Sequence, residues 1–208
     1  MSYIDITRSL SSDMAVWPGD QPFEYDPTMA ILQGDSVNVG RVVMSTHTGT
    51  HIDAPYHYDE KGMRVDEIPL ESVSGECIVV EAVNLLVIEE SFLQNIDFKG
   101  TRKVLFKTTS SERGHSYDSF PVFTEEAALL LGEKGVELAG IDAPSVDPLE
   151  SKTLPAHHAF KEAGTFILEG LDLHHVQPGI YELTAFPLKL KGGDGSPVRA
   201  VLKEIKRS

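Results

Sequence analysis

The sequence predicts an α/β or α+β fold in one domain. Three observations point there. Apolar runs of strand length recur along the chain, and only two or three segments carry helical periodicity. No repeat, low-complexity tract or flexible linker divides the 208 residues. A chain of that length can bury a sizeable core.

The elements follow in order. Residues 3–6 are short and β-rich, and residues 38–45 alternate polar positions with Val39, Val42 and Val43, though imperfectly. Residues 77–83 and 102–107 are apolar runs of strand length, with a short helix expected over 88–95 between them. The clearest helix spans 124–134. Thr124 suits its N-cap, Glu125 and Glu126 complement the positive helix start, and Ala127, Leu130 and Leu131 form an apolar stripe that Gly135 can end. Residues 136–142 read as a strand, 154–163 as a helix stopped by Gly164, and 165–169 as a further strand. Strands over 181–190 and 196–204 finish the chain around the Gly-rich turn 191–195.

Composition narrows the function. A formal net charge of -14 lacks the basic face that nucleic acid or an anionic membrane surface requires, so neither is an expected partner. No apolar run approaches the roughly 18 residues of a membrane span, and no basic-then-apolar leader opens the sequence. A cytoplasmic protein is expected. Cys77 is the one cysteine, which rules out an intramolecular disulfide, and its apolar setting marks it as a small core residue.

The most informative run is His47-Thr48-Gly49-Thr50-His51-Ile52-Asp53-Ala54-Pro55-Tyr56-His57. Imidazole plus carboxylate is the ligand set that zinc and similar divalent ions select. Gly49, Pro55 and the β-branched Thr46, Thr48, Thr50 and Ile52 argue against a helix. In an extended chain His51 and Asp53 point to the same face, and a bend at Gly49 can fold His47 beside them. Three surface histidines in a polar loop is the bland alternative. Further along, Glu169 directly follows the apolar Phe166-Ile167-Leu168. A carboxylate ending such a strand is costly to bury unless it is paired or bound to metal. The neighbours His157 and His158 point about 100° apart on a helix, so only one of them can face a site.

The run at 47–57 resembles the HxGTHxDxPxH signature of the cyclase family, metal-dependent hydrolases that include bacterial kynurenine formamidases. Every fixed position is filled. Val16-Trp17-Pro18-Gly19-Asp20-Gln21-Pro22-Phe23, the turn 140–148, and His157-His158-Ala159-Phe160 with Ile167-Leu168-Glu169-Gly170 resemble further segments of that family.

The resemblance implies a swivelling β/β/α-type domain across residues 1–208, with a β-barrel-like core flanked by a few helices and assembled as a homodimer. It implies two zinc ions per subunit, one near His47, His51 and Asp53, the other near Asp53, His157 and Glu169. Manganese also suits so oxygen-rich a set. It gives His57 general acid–base work, with a further ligand as the alternative, and gives Trp17 contact with substrate, against a core-filling role. The implied reaction is hydrolysis of N-formyl-L-kynurenine, a small aryl formamide, to L-kynurenine and formate.

The residues leave other outcomes open. Another aryl or cyclic amide such as isatin would suit the same ligands, as would a metal-binding module without turnover. No GxSxG elbow supports a serine nucleophile. Phe23, Tyr56, Tyr58 and Phe186 are expected in the core more than against substrate. The loop 108–120, with Arg113, His115 and Tyr117, reads as solvated, with a lid or a charged-substrate contact as the alternative. Asp142 and Asp147 read as turn-forming carboxylates rather than a paired acid–base set, with Ser145 a candidate for orienting a ligand or a substrate group. His174 and His175 read as surface residues.

Overall fold

The computed structural model describes residues 2–110, 117 and 119–205. Its strands are β1 (Tyr3–Asp5), β2 (Glu24–Met29), β3 (Val39–Val43), β4 (His51–Asp53), β5 (Ser74–Glu81), β6 (Val87–Ile88), β7 (Lys103–Lys107), β8 (Val122–Phe123), β9 (Leu138–Ile141), β10 (Phe166–Glu169), β11 (Gly179–Thr184), β12 (Gly195–Pro197) and β13 (Val201–Glu204). Among the described residues the helices are α1 (Glu90–Gln94), α2 (Glu125–Glu133) and α3 (Pro155–Glu162).

Nine strands form one sheet in the order β1-β13-β11-β5-β7-β9-β10-β4-β12. The central β5, β7, β9 and β10 run parallel, and the flanks are antiparallel. Strand alternation sorts the apolar residues onto two faces. Ile78, Val80, Val104, Phe106, Ile141 and Ile167 pack under Ala127, Leu131 and Phe160 of the helices. Cys77, Val79, Leu105, Leu138 and Leu168 face a second core that holds no residue of α1, α2 or α3. That core instead gathers Ile52, Leu183 and Leu202 from the outer strands, so the sheet covers it by curling on itself. Gly140 makes room inside the curl, because a Cβ there would come within 2.4 Å of Leu105 Cδ2. The expected mixed fold with a barrel-like core and few helices is the observed one.

The strand expected over 196–204 is two strands. β12 pairs with β4 at one edge of the sheet, whereas β13 pairs with β1 and β11 near the other. Four residue steps separate Pro197 from Val201, at most about 14 Å of chain, so the curl must bring those edges close. The isolated pairing of Thr7 with Leu171 bridges the same gap. The strand expected over 181–190 ends at Thr184, and β2, β6 and β8 were not anticipated. β2 and β3 form a separate arm on which Tyr25, Val39 and Val42 are exposed.

The helix caps follow the local chemistry. Thr124 accepts a hydrogen bond from Ala127 N at 3.1 Å. Helix α3 starts with Pro155 in its first turn, and the carboxylate of Asp147 accepts from the N–H groups of Ala156 and His157.

Candidate metal centre and cleft

The three residues of β4 divide by alternation. Ile52 enters the barrel core, and His51 and Asp53 point to the other face. Antiparallel pairing sets Glu169 opposite His51 and Ile167 opposite Asp53. Two buried carboxylates and a buried imidazole are thereby built into one strand pair.

Gly49, at φ +69, makes the bend that returns His47 to this face, where its ring centroid lies 5.1 Å from that of His51. On the other side of β4, Gly195 pairs with Asp53. A Cβ at Gly195 would come within 2.8 Å of His47 Cε1, so the missing side chain is what admits the ring. Helix α3 delivers His157 from above and turns His158 to the exposed side, against the edge of Tyr58. His57 closes a 3₁₀ turn (Pro55–His57) at the rim. Its side chain is 34% exposed, and its ring lies 3.9 Å from that of His47. All six predicted residues converge, across more than a hundred positions of sequence.

Hydrogen bonds fix which imidazole nitrogens remain available. His51 Nδ1 lies 3.0 Å from the Gly49 carbonyl, which can only accept, so that nitrogen carries the proton. Its Nε2 lone pair then faces Asp53 Oδ1 at 3.4 Å and Glu169 Oε2 at 3.3 Å. His157 Nδ1 lies 2.6 Å from Asp147 Oδ2, which leaves Nε2 facing Asp53 Oδ2 at 3.4 Å and Glu169 Oε1 at 3.8 Å. His47 lies between Asp53 Oδ1, 2.8 Å from Nδ1, and Asp194 Oδ2, 3.1 Å from Nε2. Asp53 Oδ2 is buried, and among the described residues no hydrogen bond reaches it.

Lone pairs held against carboxylates in a buried setting require a cation. Protons answer that need in part. Burial alone would lower these imidazoles. Asp53, joined by Asp194 at His47, by Glu169 at His51, and by Asp147 and Glu169 at His157, outweighs it, raising His47 to about 9 and the other two to about 10. Burial works against ionised Asp53 too, but the surrounding imidazoles hold its carboxyl well below the usual range. Burial and the neighbouring Asp53 push Glu169 up. The same donors fit divalent ions of the zinc class, with Asp53 central to both expected positions. His57 also lies within ligand reach of His47 and Asp53.

A cleft of about 370 Å³ opens over the cluster. Trp17, Asp20, Tyr117, Ser145 and Leu149 line it together with His47, His51, His57, His157, Glu169 and Asp194. Trp17 stands on a turn closed by Asp20 N donating to its carbonyl at 3.0 Å. Its ring meets that of Tyr117 edge-on at 5.7 Å and Phe120 at 6.4 Å. Phe23, Tyr56, Tyr58 and Phe186 are not among the residues lining it, and Phe186 is exposed rather than core. Arg113 and His115 lie outside the described residues. His174 and His175 are exposed, with His174 Nδ1 2.5 Å from Asp172. Cys77 is buried.

Two residues do more than the sequence suggested. Asp147 was expected only to shape its turn, but it also grips the His157 ring, and Ser145 Oγ in turn accepts from Asp147 N. Asp194 stood in the Gly-rich turn with no role. It bonds His47, accepts from Thr46 Oγ1 and lies 3.9 Å from His57 Nδ1. Asp142 is structural, accepting from Thr108 N and Oγ1.

A family model described as "Putative cyclase" matches residues 4–148. Among curated proteins, a kynurenine formamidase of Bacillus cereus and one of Geobacillus thermodenitrificans are 43% and 47% identical, each alignment covering 98% of both chains. Among solved structures, a "predicted metal-dependent hydrolase" from Bacillus stearothermophilus superposes with a TM-score of 0.84 at 31% identity, covering 97% of each chain. Isatin hydrolase A from Labrenzia aggregata reaches 0.80 at 25% identity, covering 97% of this chain and 93% of that one.

Proposed function

The chain belongs to the cyclase family, and on that premise we propose that it is a metal-dependent amidohydrolase that cleaves N-formyl-L-kynurenine to L-kynurenine and formate. The observation that carries this reading is the convergence of His51, Asp53, His157 and Glu169 on one buried, cation-seeking face beneath a cleft walled by Trp17. His47 completes one half of the cluster and His157 the other. Two zinc ions would suit this donor set, held by His47, His51, Asp53, His157 and Glu169. When bound, such ions supply Lewis acidity, acidifying water and stabilising charge on a carbonyl oxygen.

The chain's own groups do the rest. His51 and His157 are held in one tautomer by Gly49 O and Asp147, so their free nitrogens stay aimed inward. Burial lowers His57 from its usual 6.5, against the pull of Asp53, which keeps it neutral and able to accept a proton near pH 7. His57 takes a proton from the attacking water and returns it to the departing aryl nitrogen, which leaves as the amine. The C–N bond breaks, and the formyl carbon departs with the water's oxygen as formate. Trp17 and Tyr117 give the aryl ring an apolar wall.

We place the enzyme in the cytoplasm as a homodimer, with the exposed β2–β3 arm as the contact between subunits. The test of the reaction pairs metal analysis of the purified protein with an assay for formate release from N-formyl-L-kynurenine. The likeness to isatin hydrolase A favours isatin as the rival substrate. Preferential opening of isatin would replace the formamidase reading, and cleavage of neither would remove both.

A further inference from the structure

We propose that Asp20 is the anchor for the substrate's ammonium group. The proposal rests on the formamidase reading and deepens it, since the metal cluster, His57 and the apolar wall leave the amino-acid end of the substrate without a partner.

Trp17-Pro18-Gly19-Asp20 is a four-residue turn. Asp20 N donates to Trp17 O at 3.0 Å, and Gly19 takes φ +98 behind a proline, the pattern of a type II turn. Such a turn brings its first and last Cα atoms within about 7 Å. Trp17 and Asp20 both line the cleft, so one rigid turn presents an aromatic face and a carboxylate side by side. The ring contacts with Tyr117 and Phe120 hold the indole plane.

The charges around the cleft are already committed, with one exception. Glu169 accepts from Val146 N and faces His51, and Asp194 is bonded to His47 and Thr46. Among the described residues no hydrogen bond or ion pair takes up the carboxylate of Asp20. The described lining contains no lysine or arginine, so Asp20 has no cationic side chain there to pair with and is left to a cationic group of the ligand.

Kynurenine matches this arrangement. A carbonyl, a methylene and one further carbon separate its aryl ring from its ammonium. A ring lying against Trp17 therefore carries the ammonium to the far end of the same turn. The pairing would thus select zwitterionic aryl formamides over neutral ones.

The experiment uses Asp20→Asn and two substrates, N-formyl-L-kynurenine and N-(2-acetylphenyl)formamide, which keeps the aryl ketone and formamide but has no ammonium. Loss of one charge-assisted contact should raise KM for the first about tenfold, a difference of about 1.4 kcal/mol, and shift the second by less than about twofold. Trp17 is the only tryptophan, so its fluorescence reads binding without turnover. Quenching by L-kynurenine should weaken in Asp20→Asn, and quenching by 2-aminoacetophenone should not. Equal effects on the charged and neutral ligands, or no effect on either, would overturn the proposal. Discrimination in the fluorescence titration without any formate release would leave the anchor standing and remove the formamidase reading.

Discussion

At the scale of single residues, the centre depends on side chains that touch the donors as much as on the donors themselves. His57→Ala should keep the metal content and lose about 10²- to 10⁴-fold in kcat, the usual weight of a general acid–base group, measured by formate release beside elemental analysis. Loss of metal together with activity would make His57 a ligand instead, which its closeness to His47 and Asp53 permits. Asp147→Asn weakens the grip on His157 Nδ1 while leaving the shape of the turn. It should cost about 10- to 100-fold in affinity at the position His157 serves, read by competition with a chelating dye. The donors were legible in the sequence because imidazoles and carboxylates in one short run have few other uses. Asp147 and Asp194 were not, because an aspartate in a turn has the same local signature whether it bonds its own backbone or a distant ring. Only the packing of α3 onto the sheet, and of β12 onto β4, separates those cases.

At the scale of elements, legibility followed burial pattern. α2 emerged nearly residue for residue, since Thr124, the paired glutamates and the apolar stripe agree with one another. β5, β7, β9 and β10 emerged because strands buried on both faces are continuously apolar. The split of 196–204 did not emerge, because two strands on opposite edges of a curled sheet read locally like one. The β2–β3 arm was half missed because its residues are mostly exposed and their polarity follows no interior. A position with no sequence signal is Gly132 in α2, where a Cβ would come within 2.4 Å of Ala163 Cβ and 2.9 Å of its carbonyl oxygen. Gly132→Ala should push α2 off the end of α3 and lower stability by about 1–3 kcal/mol in urea unfolding, despite the better helix propensity of alanine.

At the scale of the whole molecule, the barrel-like core and the helical layer share one sheet, and the cluster forms where β4 and β10 meet under α3. The arm beyond that body carries Tyr25, Ile31, Leu32, Val39 and Val42 into solvent, more apolar surface than a lone projecting hairpin normally bears. The protein should sediment at twice its chain mass, and Val42→Lys with Leu32→Glu should shift it toward single chains. Unchanged sedimentation of that variant would move the contact elsewhere. The position of β4 also bears on how the enzyme is made. Asp53 has Ile167 on one side and Gly195 on the other, so its surroundings come from widely separated parts of the sequence. A ribosome must translate past Pro197 before β12 can cover β4 and Asp194 can meet His47. A product cut short before Asp194 carries the early ligands but leaves β4 as a bare strand border, open to aggregation and to degradation by quality control.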